Sequence, residues 1–330
     1  MIHFAQQGLN SAAALAALIP LHPPTASNVA GQVDQVFYFL TFITVFFSVL
    51  IFGCIFYFMI KYRRRSEDDL PEQIHGSLPL EVIWTVIPSI ICAVIFVWSS
   101  YLYVRNARPP KNATDIYVIG KQWMWHIQHP EGPREIDALH IPVNQSIKLT
   151  MTSQDVIHAF YIPAFRVKKS VLPGSYNEIW FTPDKVGKFH LYCTEYCGAG
   201  HSKMIGWVYV MSQRDYTAWL DGQMKDQSMA QEGARLFAQL GCSTCHGANG
   251  TGQGPSLAGM YGKPETLKDG STRIVDESLI RQAIITPNSV LLPKYPPIMP
   301  TFQGQVNELQ VLQLMAYIKS LGTEERTSKQ

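Results

Sequence analysis

Charged residues are scarce in this chain and absent from two long stretches. Only 16% of its 330 residues are Asp, Glu, Lys or Arg, whereas 47% are hydrophobic. Residues 36–60 and 82–104 carry no charge at all, and each stretch is long enough to cross a bilayer as a helix. Two buried core helices are the alternative, but soluble helices of this length usually have a polar face. The composition therefore argues against an ordinary soluble protein.

Basic residues are also absent from residues 1–35, whereas the loop after the first predicted span opens with four of them within residues 61–65. The positive-inside rule places that loop in the cytoplasm. The N-terminus and everything after residue 104 are then expected outside. Residues 12–21 form a weak apolar run like the core of a signal peptide, but the basic segment that should precede it is missing. Cleavage there stays undecided.

The six cysteines leave none for a structural disulfide framework, because two lie in the uncharged stretches and the other four form two close pairs of another kind. Cys54 and Cys92 lie in the uncharged stretches and are expected to be packing residues. The other four form two close pairs, at 193 and 197 and at 242 and 245. Both spacings are typical of metal or haem sites rather than of structural disulfides.

The residues after the second span change in character twice. Short runs at 115–119, 146–152, 178–182 and 204–211 are rich in β-branched and aromatic residues, which predicts a β-sandwich or barrel. Residues 212–227 are polar and are expected to be a linker. From residue 228 onward the pattern is helical. An apolar stripe from Val311 to Leu321 predicts a last helix, with Asn307 as its N-cap and Gly322 at its end.

The first cysteine pair belongs to a cluster of soft metal ligands. Cys193, Cys197, His201 and Met204 fall within twelve residues, and His158 on an earlier predicted strand is the expected remote ligand. A mononuclear blue copper needs only one thiolate, whereas two thiolates can bridge two copper ions. A zinc site would leave the methionine unexplained. A disulfide between the two cysteines is the other alternative.

The second cysteine pair lies in Cys242-Ser-Thr-Cys245-His246, which is typical of covalent c-type haem attachment with the histidine as axial ligand. A thioredoxin-like pair is the alternative, but the adjacent histidine and the missing βαβ pattern argue against it. The sixth iron ligand should be a methionine. Met299, in a proline-rich segment, is the best candidate; Met260 and Met315 compete with it, although Met315 fits the apolar stripe.

The region around the first cluster closely resembles subunit II of haem–copper cytochrome oxidases. The resemblance extends over most of residues 30–211, including both spans, Gln122-Trp-Met-Trp125, and the cluster itself. It implies a dinuclear copper-A centre on a cupredoxin-like Greek-key barrel, with His158, Cys193, Cys197, His201 and Met204 as ligands. It also implies that the backbone carbonyl of Glu195 completes the copper shell, and that its carboxylate binds a Mg²⁺ ion shared with subunit I.

Two further roles follow from this resemblance. Trp123 matches the tryptophan at which electrons arrive from the donor; the alternative is a tryptophan in the barrel core. Glu81 matches the carboxylate at the cytoplasmic mouth of a proton pathway, although at a helix N-terminus it could merely complement the helix dipole. Ser170 stands where the family has an aspartate, and residues 105–211 contain 12 basic and 8 acidic residues. The acidic surface that usually docks cytochrome c is therefore depleted.

Residues from 228 to about 322 resemble a small all-α class I cytochrome c domain, and its fusion to a copper-A subunit resembles the caa-type oxidases of prokaryotes. The expected order is an N-terminal segment (1–35), a two-helix transmembrane hairpin (36–104), the cupredoxin domain (105–211), a linker (212–227) and the cytochrome c domain (228–330).

The resemblance implies an electron-transfer subunit of a bacterial or archaeal plasma-membrane oxidase. Electrons would pass from haem c to copper-A and on to subunit I, where oxygen is reduced to water with proton translocation. Expected partners are subunit I, subunit III, membrane lipid and an upstream cytochrome c or quinol-oxidising complex, with no nucleic acid. A nitrous oxide reductase-like enzyme would need a large His-rich domain, and only ten histidines occur. A membrane-anchored copper chaperone or sensor would not need the haem motif.

Overall fold

The computed structural model describes residues 23–66, 76–223, 228–247 and 252–327, with side chains as far as residue 322. The apolar run at 12–21 lies outside these residues. The two uncharged stretches form helices α1 (Ala30–Lys61) and α2 (Leu78–Asn106), and both are long and apolar enough to cross a membrane. Most of their large apolar side chains are exposed, as expected where lipid rather than protein surrounds a helix whose backbone is satisfied internally.

Ten strands then form two five-stranded sheets. They are β1 (Thr114–Lys121), β2 (Met124–Gln128), β3 (Arg134–Ile136), β4 (Ala138–Pro142), β5 (Ile147–Ser153), β6 (His158–Ile162), β7 (Val167–Val171), β8 (Asn177–Phe181), β9 (Gly187–Cys193) and β10 (Ile205–Met211). The first sheet has the order β3-β2-β1-β5-β8 and the second the order β4-β10-β9-β6-β7. In the first sheet β1 and β5 run parallel, and in the second β4 and β10 do.

The core of this barrel comes from alternate residues of each strand. Ile116 and Val118 of β1, like Leu149 of β5 and Val208 of β10, are fully buried, because a strand directs every second side chain to the same face. The sandwich expected from the short β-branched runs is confirmed, and its cupredoxin-like character with it.

The segment 212–227, expected to be a linker, contains helix α3 (Gln213–Gln223) instead. Its aromatic side chains explain the difference. The Trp219 ring stacks on that of His140 with centroids 4.7 Å apart, and the Tyr216 hydroxyl lies 3.4 Å from His129 Nδ1. Tyr216 is buried as a result. Two aromatic residues in an otherwise polar segment thus hold the helix against the barrel.

The C-terminal domain is helical, as expected, with one added β-hairpin. Its elements are α4 (Met229–Gln239), β11 (Pro264–Thr266), β12 (Thr272–Ile274), α5 (Glu277–Ile285) and α6 (Glu308–Thr327). The Asn307 side chain accepts a hydrogen bond from the Gln310 amide at 2.9 Å, so the predicted N-cap is confirmed. The predicted end at Gly322 is wrong, because α6 continues to Thr327. A Cβ on Gly322 would lie 3.2 Å from Gly259 Cα, so this glycine serves close packing rather than chain reversal.

The first and last helices of this domain cross at Gly233 of α4. A Cβ on this residue would lie 1.9 Å from the carbonyl oxygen of Gln313 in α6. Beside the crossing, the rings of Phe237 and Tyr317 meet at 5.2 Å. The missing side chain therefore allows the two helices to approach closely enough for their apolar faces to share one core.

Gly233→Ala should destabilise the C-terminal domain by about 1–3 kcal/mol, since a methyl group against a backbone carbonyl cannot be relieved by rotating a side chain. Gly222→Ala in α3 is the matched control, because open space surrounds that position. Thermal unfolding of the purified membrane complex, followed by haem c absorbance, measures the effect. Equal midpoints for the two variants would mean that the crossing tolerates a methyl group.

Candidate metal and haem sites

The soft-ligand cluster is assembled by the pairing of two strands. His158 begins β6 and Cys193 ends β9, and these antiparallel neighbours pair Phe160 with Cys193. The register therefore places the remote histidine beside the first cysteine, with 3.9 Å between His158 Nδ1 and Cys193 Sγ. The loop from β9 to β10 then folds back and supplies the remaining ligands of the cluster.

The five predicted side-chain ligands lie close together around the sulfurs of Cys193 and Cys197. Cys193 Sγ and Cys197 Sγ lie 3.8 Å apart, His201 Nδ1 is 3.4 Å from Cys197 Sγ, and Met204 Sδ is 4.0 Å from it. The ligand atoms of His158, Cys193 and Cys197 all lie within 4.8 Å of one another, and all three residues are buried. The alternative of a disulfide is wrong, because both cysteines are free and an S–S bond measures about 2 Å.

The electrostatics of the pair favour bound cations. Burial raises the pKa of Cys193, but hydrogen bonds with His158, with the Ala159 and Glu195 backbones and with Cys197 together outweigh burial and bring the pKa to about 6. Burial and the neighbouring Cys193 charge raise the pKa of Cys197 to about 12. Two adjacent buried thiolates are therefore unfavourable without a cation between them. Thiolate, imidazole and thioether donors fit copper, and copper binding would release the second proton.

The sequence did not reveal the role of Asp155, which lies three residues before His158 in the segment between β5 and β6. Asp155 Oδ1 lies 2.8 Å from His158 Nε2, which orients the ring so that Nδ1 faces the sulfurs. Asp155 Oδ2 accepts a hydrogen bond from the Gln122 backbone N–H at 2.7 Å. Burial raises the pKa of Asp155, but these hydrogen bonds lower it further, to below its usual range. A carboxylate three residues from a metal-ligating histidine was the available signal.

Trp123 lies against the cluster and not in the barrel core. Its indole nitrogen donates to the Cys197 carbonyl at 3.2 Å, and the Gln122 side-chain amide donates to the same oxygen at 2.8 Å. Trp123 is 38% exposed, whereas Trp125 is fully buried. The tryptophan in the barrel core is therefore Trp125, whereas Trp123 connects the loop that carries Cys197 to the protein surface.

Glu195 has its backbone at the cluster and its side chain outside it. The carbonyl oxygen lies 3.3 Å from Cys193 Sγ, close enough to complete a metal shell. The residue is exposed, so its carboxylate is available to a group beyond this chain. Glu81, the other predicted carboxylate, lies in the first turn of α2 and is also exposed.

The second cysteine pair opens onto a cavity of about 450 Å³ in the helical domain. Cys242, Cys245, His246 and Met299 all line it, and the rest of the wall comes largely from the segments 253–267 and 287–302, together with apolar side chains of α4, α5 and α6. An apolar cavity that carries two free thiols and an imidazole fits a covalently attached haem. The residues present therefore fit the group that the motif predicts.

His246 is oriented for iron binding. Its Nδ1 donates a hydrogen bond to the Pro255 carbonyl at 2.9 Å, which leaves Nε2 as the free ligand atom. A Cβ on Gly254 would lie 2.8 Å from the imidazole Cε1, so only glycine allows the segment to pass so close. The sequence could not predict this hydrogen bond, because its acceptor is a backbone carbonyl nine residues away, and a backbone group has no sequence signature.

Two of the three candidate methionines reach the cavity. Met299 and Met260 both line it. Met315 is fully buried in the domain core, in agreement with its position in the apolar stripe. The structure therefore reduces the choice of sixth ligand to two residues.

Gly200→Ala should disturb the metal loop without removing a ligand, because the new Cβ would lie 2.3 Å from the Trp123 ring. We expect the indole to shift and the loop to lose about 1–3 kcal/mol of stability. Ser202→Ala, at an exposed position in the same loop, is the control. The temperature at which the copper electron paramagnetic resonance signal is lost measures the difference; identical temperatures would contradict the close contact.

Three family models match successive parts of the chain. Residues 17–102 match the family model "Cytochrome C oxidase subunit II, transmembrane domain", residues 131–210 match "Cytochrome C oxidase subunit II, periplasmic domain", and residues 230–322 match "Cytochrome c". These matches support a membrane protein with an external domain, and they imply copper-A and haem as cofactors.

Two relatives agree with this assignment. Cytochrome c oxidase subunit 2 of Alkalihalophilus pseudofirmus is 30% identical over 292 residues, which cover 83% of this chain and 82% of the relative. The corresponding subunit of Synechocystis is 27% identical over 248 residues, covering 61% and 75%. A crystal structure of the periplasmic domain of subunit II of cytochrome oxidase from Bradyrhizobium japonicum is 32% identical and covers 36% of this chain and 98% of its own, with a TM-score of 0.35. The chain belongs to the cytochrome c oxidase subunit II family, in the caa-type form with a fused cytochrome c domain, and is part of a haem–copper oxidase complex.

Proposed function

We propose that this subunit receives electrons at haem c, passes them to a dinuclear copper-A centre, and delivers them to subunit I. The observation that carries the proposal is the pair of buried sulfurs 3.8 Å apart, in the same chain as an apolar cavity lined by Cys242, Cys245 and His246. One redox centre would need only one of these sites. Two sites in one external region support a relay.

At the first site Cys193 and Cys197 would supply two thiolates, His158 and His201 one imidazole each, and Met204 and the Glu195 carbonyl the remaining ligands for a pair of copper ions. Bound there, the pair would allow the site to take up and release one electron with little geometric change. The exposed Glu195 carboxylate would bind Mg²⁺ together with subunit I, which would join the copper loop directly to the partner that receives the electron.

At the second site Cys242 and Cys245 would attach haem through two thioether bonds, and His246 and a methionine would bind its iron. The His246 hydrogen bond to Pro255 fixes the proximal ring. We assign Met299 as the sixth ligand, because prolines on both sides of the Ile298-Met299 pair stiffen the segment that presents its sulfur. A thioether ligand raises the haem potential.

Trp123 is the residue at which we propose electrons reach copper-A from outside the barrel. Its exposed ring and its hydrogen bond to the Cys197 carbonyl join the surface to a ligand residue. Strand β7 presents Lys168, Lys169 and Ser170, all exposed, and Ser170 stands where the family pattern has an aspartate. A free basic cytochrome c would be attracted weakly to this surface. The tethered haem domain is therefore proposed as the immediate donor, at the mM effective concentration of a short linker.

We further propose that α1 and α2 both span a prokaryotic plasma membrane, with the two redox domains on the outer face and Glu81 at the cytoplasmic mouth of a proton pathway. The basic residues at 61–65 support this orientation. Subunit III and an upstream cytochrome c or quinol-oxidising complex are the remaining proposed partners, and oxygen reduction with proton translocation is assigned to subunit I.

Cys197→Ser should abolish the copper-A signal and oxygen consumption while haem c remains attached. Cys197 is the only cysteine within 4 Å of both His201 Nδ1 and Met204 Sδ among the described residues, and a hydroxyl is a poor bridging ligand for copper. Cys92→Ser, at an exposed position in α2, is the control. Electron paramagnetic resonance and reduced optical spectra of the purified complex give both readouts. Persistence of a mixed-valence copper signal in the first variant would refute the assignment.

Met299→Ala should lower the haem c potential, because the methionine sulfur no longer binds the iron. The haem should stay attached, because the bonds from Cys242 and Cys245 remain. Met260→Ala is the matched control, since that side chain lines the same cavity. Redox titration of the haem c band measures the potential of each variant. A fall in the Met260 variant alone would move the axial ligand to that residue.

A further inference from the structure

The outer face of the first sheet is covered by the haem domain. In a sandwich one face of each sheet usually meets solvent, so burial alternates along a strand. Here β5 is buried at nearly every position, and in β1 both faces are buried. Tyr117 and Ile119, which point away from the barrel core, are 3% and 8% exposed and belong to the same buried cluster as the core of α4, α5 and α6.

Four charged residues form a closed ring at one end of this contact. The barrel contributes Asp115 and Lys148, and the haem domain contributes Glu277 and Lys319. Lys319 Nζ lies 3.0 Å from Asp115 and 2.7 Å from Glu277, while Lys148 Nζ lies 3.0 Å from Asp115 and 3.4 Å from Glu277. Each cation thus contacts both anions, and two of the four ion pairs cross between the domains. We call these four residues the charge ring.

The ring is largely removed from solvent and its oxygens are further satisfied. Glu277 is 7% exposed and Lys148 13%. Tyr261 donates to Glu277 Oε1 at 2.5 Å, and the buried Thr150 donates to Asp115 Oδ1 at 2.7 Å. Burial raises the pKa of Glu277, but the two ammonium groups outweigh it and bring the pKa to about 2. Glu277 therefore stays ionised at physiological pH.

Burying such a ring gains little energy but makes other positions of the domain unfavourable. Each half would be a hydrated ion pair if the domains separated, so desolvation offsets most of the attraction. A shifted haem domain, however, would leave buried charges without partners, which is strongly unfavourable. The apolar contact around Tyr117 and Ile119 supplies the attraction, and the ring selects one position.

A second polar contact prevents rotation about the ring. Arg281 donates to the Gly174 carbonyl at 3.2 Å, and the Tyr176 hydroxyl donates to Glu308, the ion-pair partner of Arg281, at 3.4 Å. Gly174 and Tyr176 precede β8, whose first residues pair with the far end of β5. This contact lies about four residues along β5 from Lys148, or roughly 13 Å. Two polar contacts at that separation fix both position and orientation.

We propose that the charge ring and this second contact hold the haem domain in one permanent position on the barrel, so that haem c donates to copper-A from a fixed dock and not by diffusion on a tether. Asp115, Lys148, Glu277 and Lys319 are then positioning residues for electron transfer within the chain. The proposal rests on the relay proposed above and refines its tethered donor into a docked one.

The test uses the purified oxidase complex and photoreduction of haem c by an excited ruthenium complex. Transfer from a fixed dock should proceed at a rate that does not change with solvent viscosity. Lys319→Met removes one cation and should shift the equilibrium towards separated domains by about a hundredfold. Its transfer should slow and become viscosity-dependent, and Lys148 should become reactive towards an amine-acylating reagent. Lys263→Met, an exposed position in the same domain, is the charge-matched control.

A second variant separates docking from folding. Lys319→Met leaves Asp115 without its partner across the boundary. Adding Asp115→Asn removes that unpaired charge, keeps an oxygen that can accept the Thr150 hydrogen bond, and leaves the crossing pair of Lys148 with Glu277, so it should recover viscosity-independent transfer. Viscosity-dependent transfer in the unmodified protein would overturn the proposal, as would a Lys319→Met variant that keeps Lys148 protected. Loss of the copper or haem c spectra in the unmodified protein would instead contradict the relay itself.

Discussion

Two cysteine sulfurs buried side by side are the constraint on which the external region depends. Their proximity is unfavourable unless cations lie between them, and no single segment could impose it. The register of β6 and β9 brings His158 to Cys193, and the returning loop brings His201 and Met204 to Cys197. Asp155, between β5 and β6, holds the histidine, and Gln122, in the β1–β2 turn, holds the Cys197 carbonyl. The barrel is thus a support that fixes a strained combination of ligands.

The haem domain meets a different requirement with different means. A small helical domain must surround a large apolar group and still have a core of its own. Gly233 lets α4 and α6 cross at close range, which concentrates their apolar side chains on one side. The cavity lies beyond that core, and the Pro255 carbonyl and Gly254 define the orientation of the imidazole at its wall. Tight packing and an open cavity are therefore adjacent and depend on the same helices.

Much of this architecture could be predicted from sequence because it is local. Uncharged stretches, short β-branched runs and the spacing of Cys242, Cys245 and His246 each encode their own element. The missed features are non-local. Nothing in residues 212–223 indicates that Trp219 will stack on His140, and nothing around residue 322 reveals that Gly259 approaches it. Asp115 and Glu277 likewise look like ordinary surface acids until the domains come together. Pairing between distant segments needs three-dimensional structure to be seen.

The neutrality of the charge ring has a consequence for how the two domains can meet. Two cations and two anions cancel within the ring, so even with Glu178, which lies 3.0 Å from Lys148, the cluster carries only one net charge and projects a weak field beyond a Debye length. Separate proteins with this interface would meet only by chance collision, without the long-range attraction that accelerates most electron-transfer encounters. Such an interface is serviceable only when one chain already confines both partners. In a fused chain, long-range attraction between these two domains is therefore unnecessary.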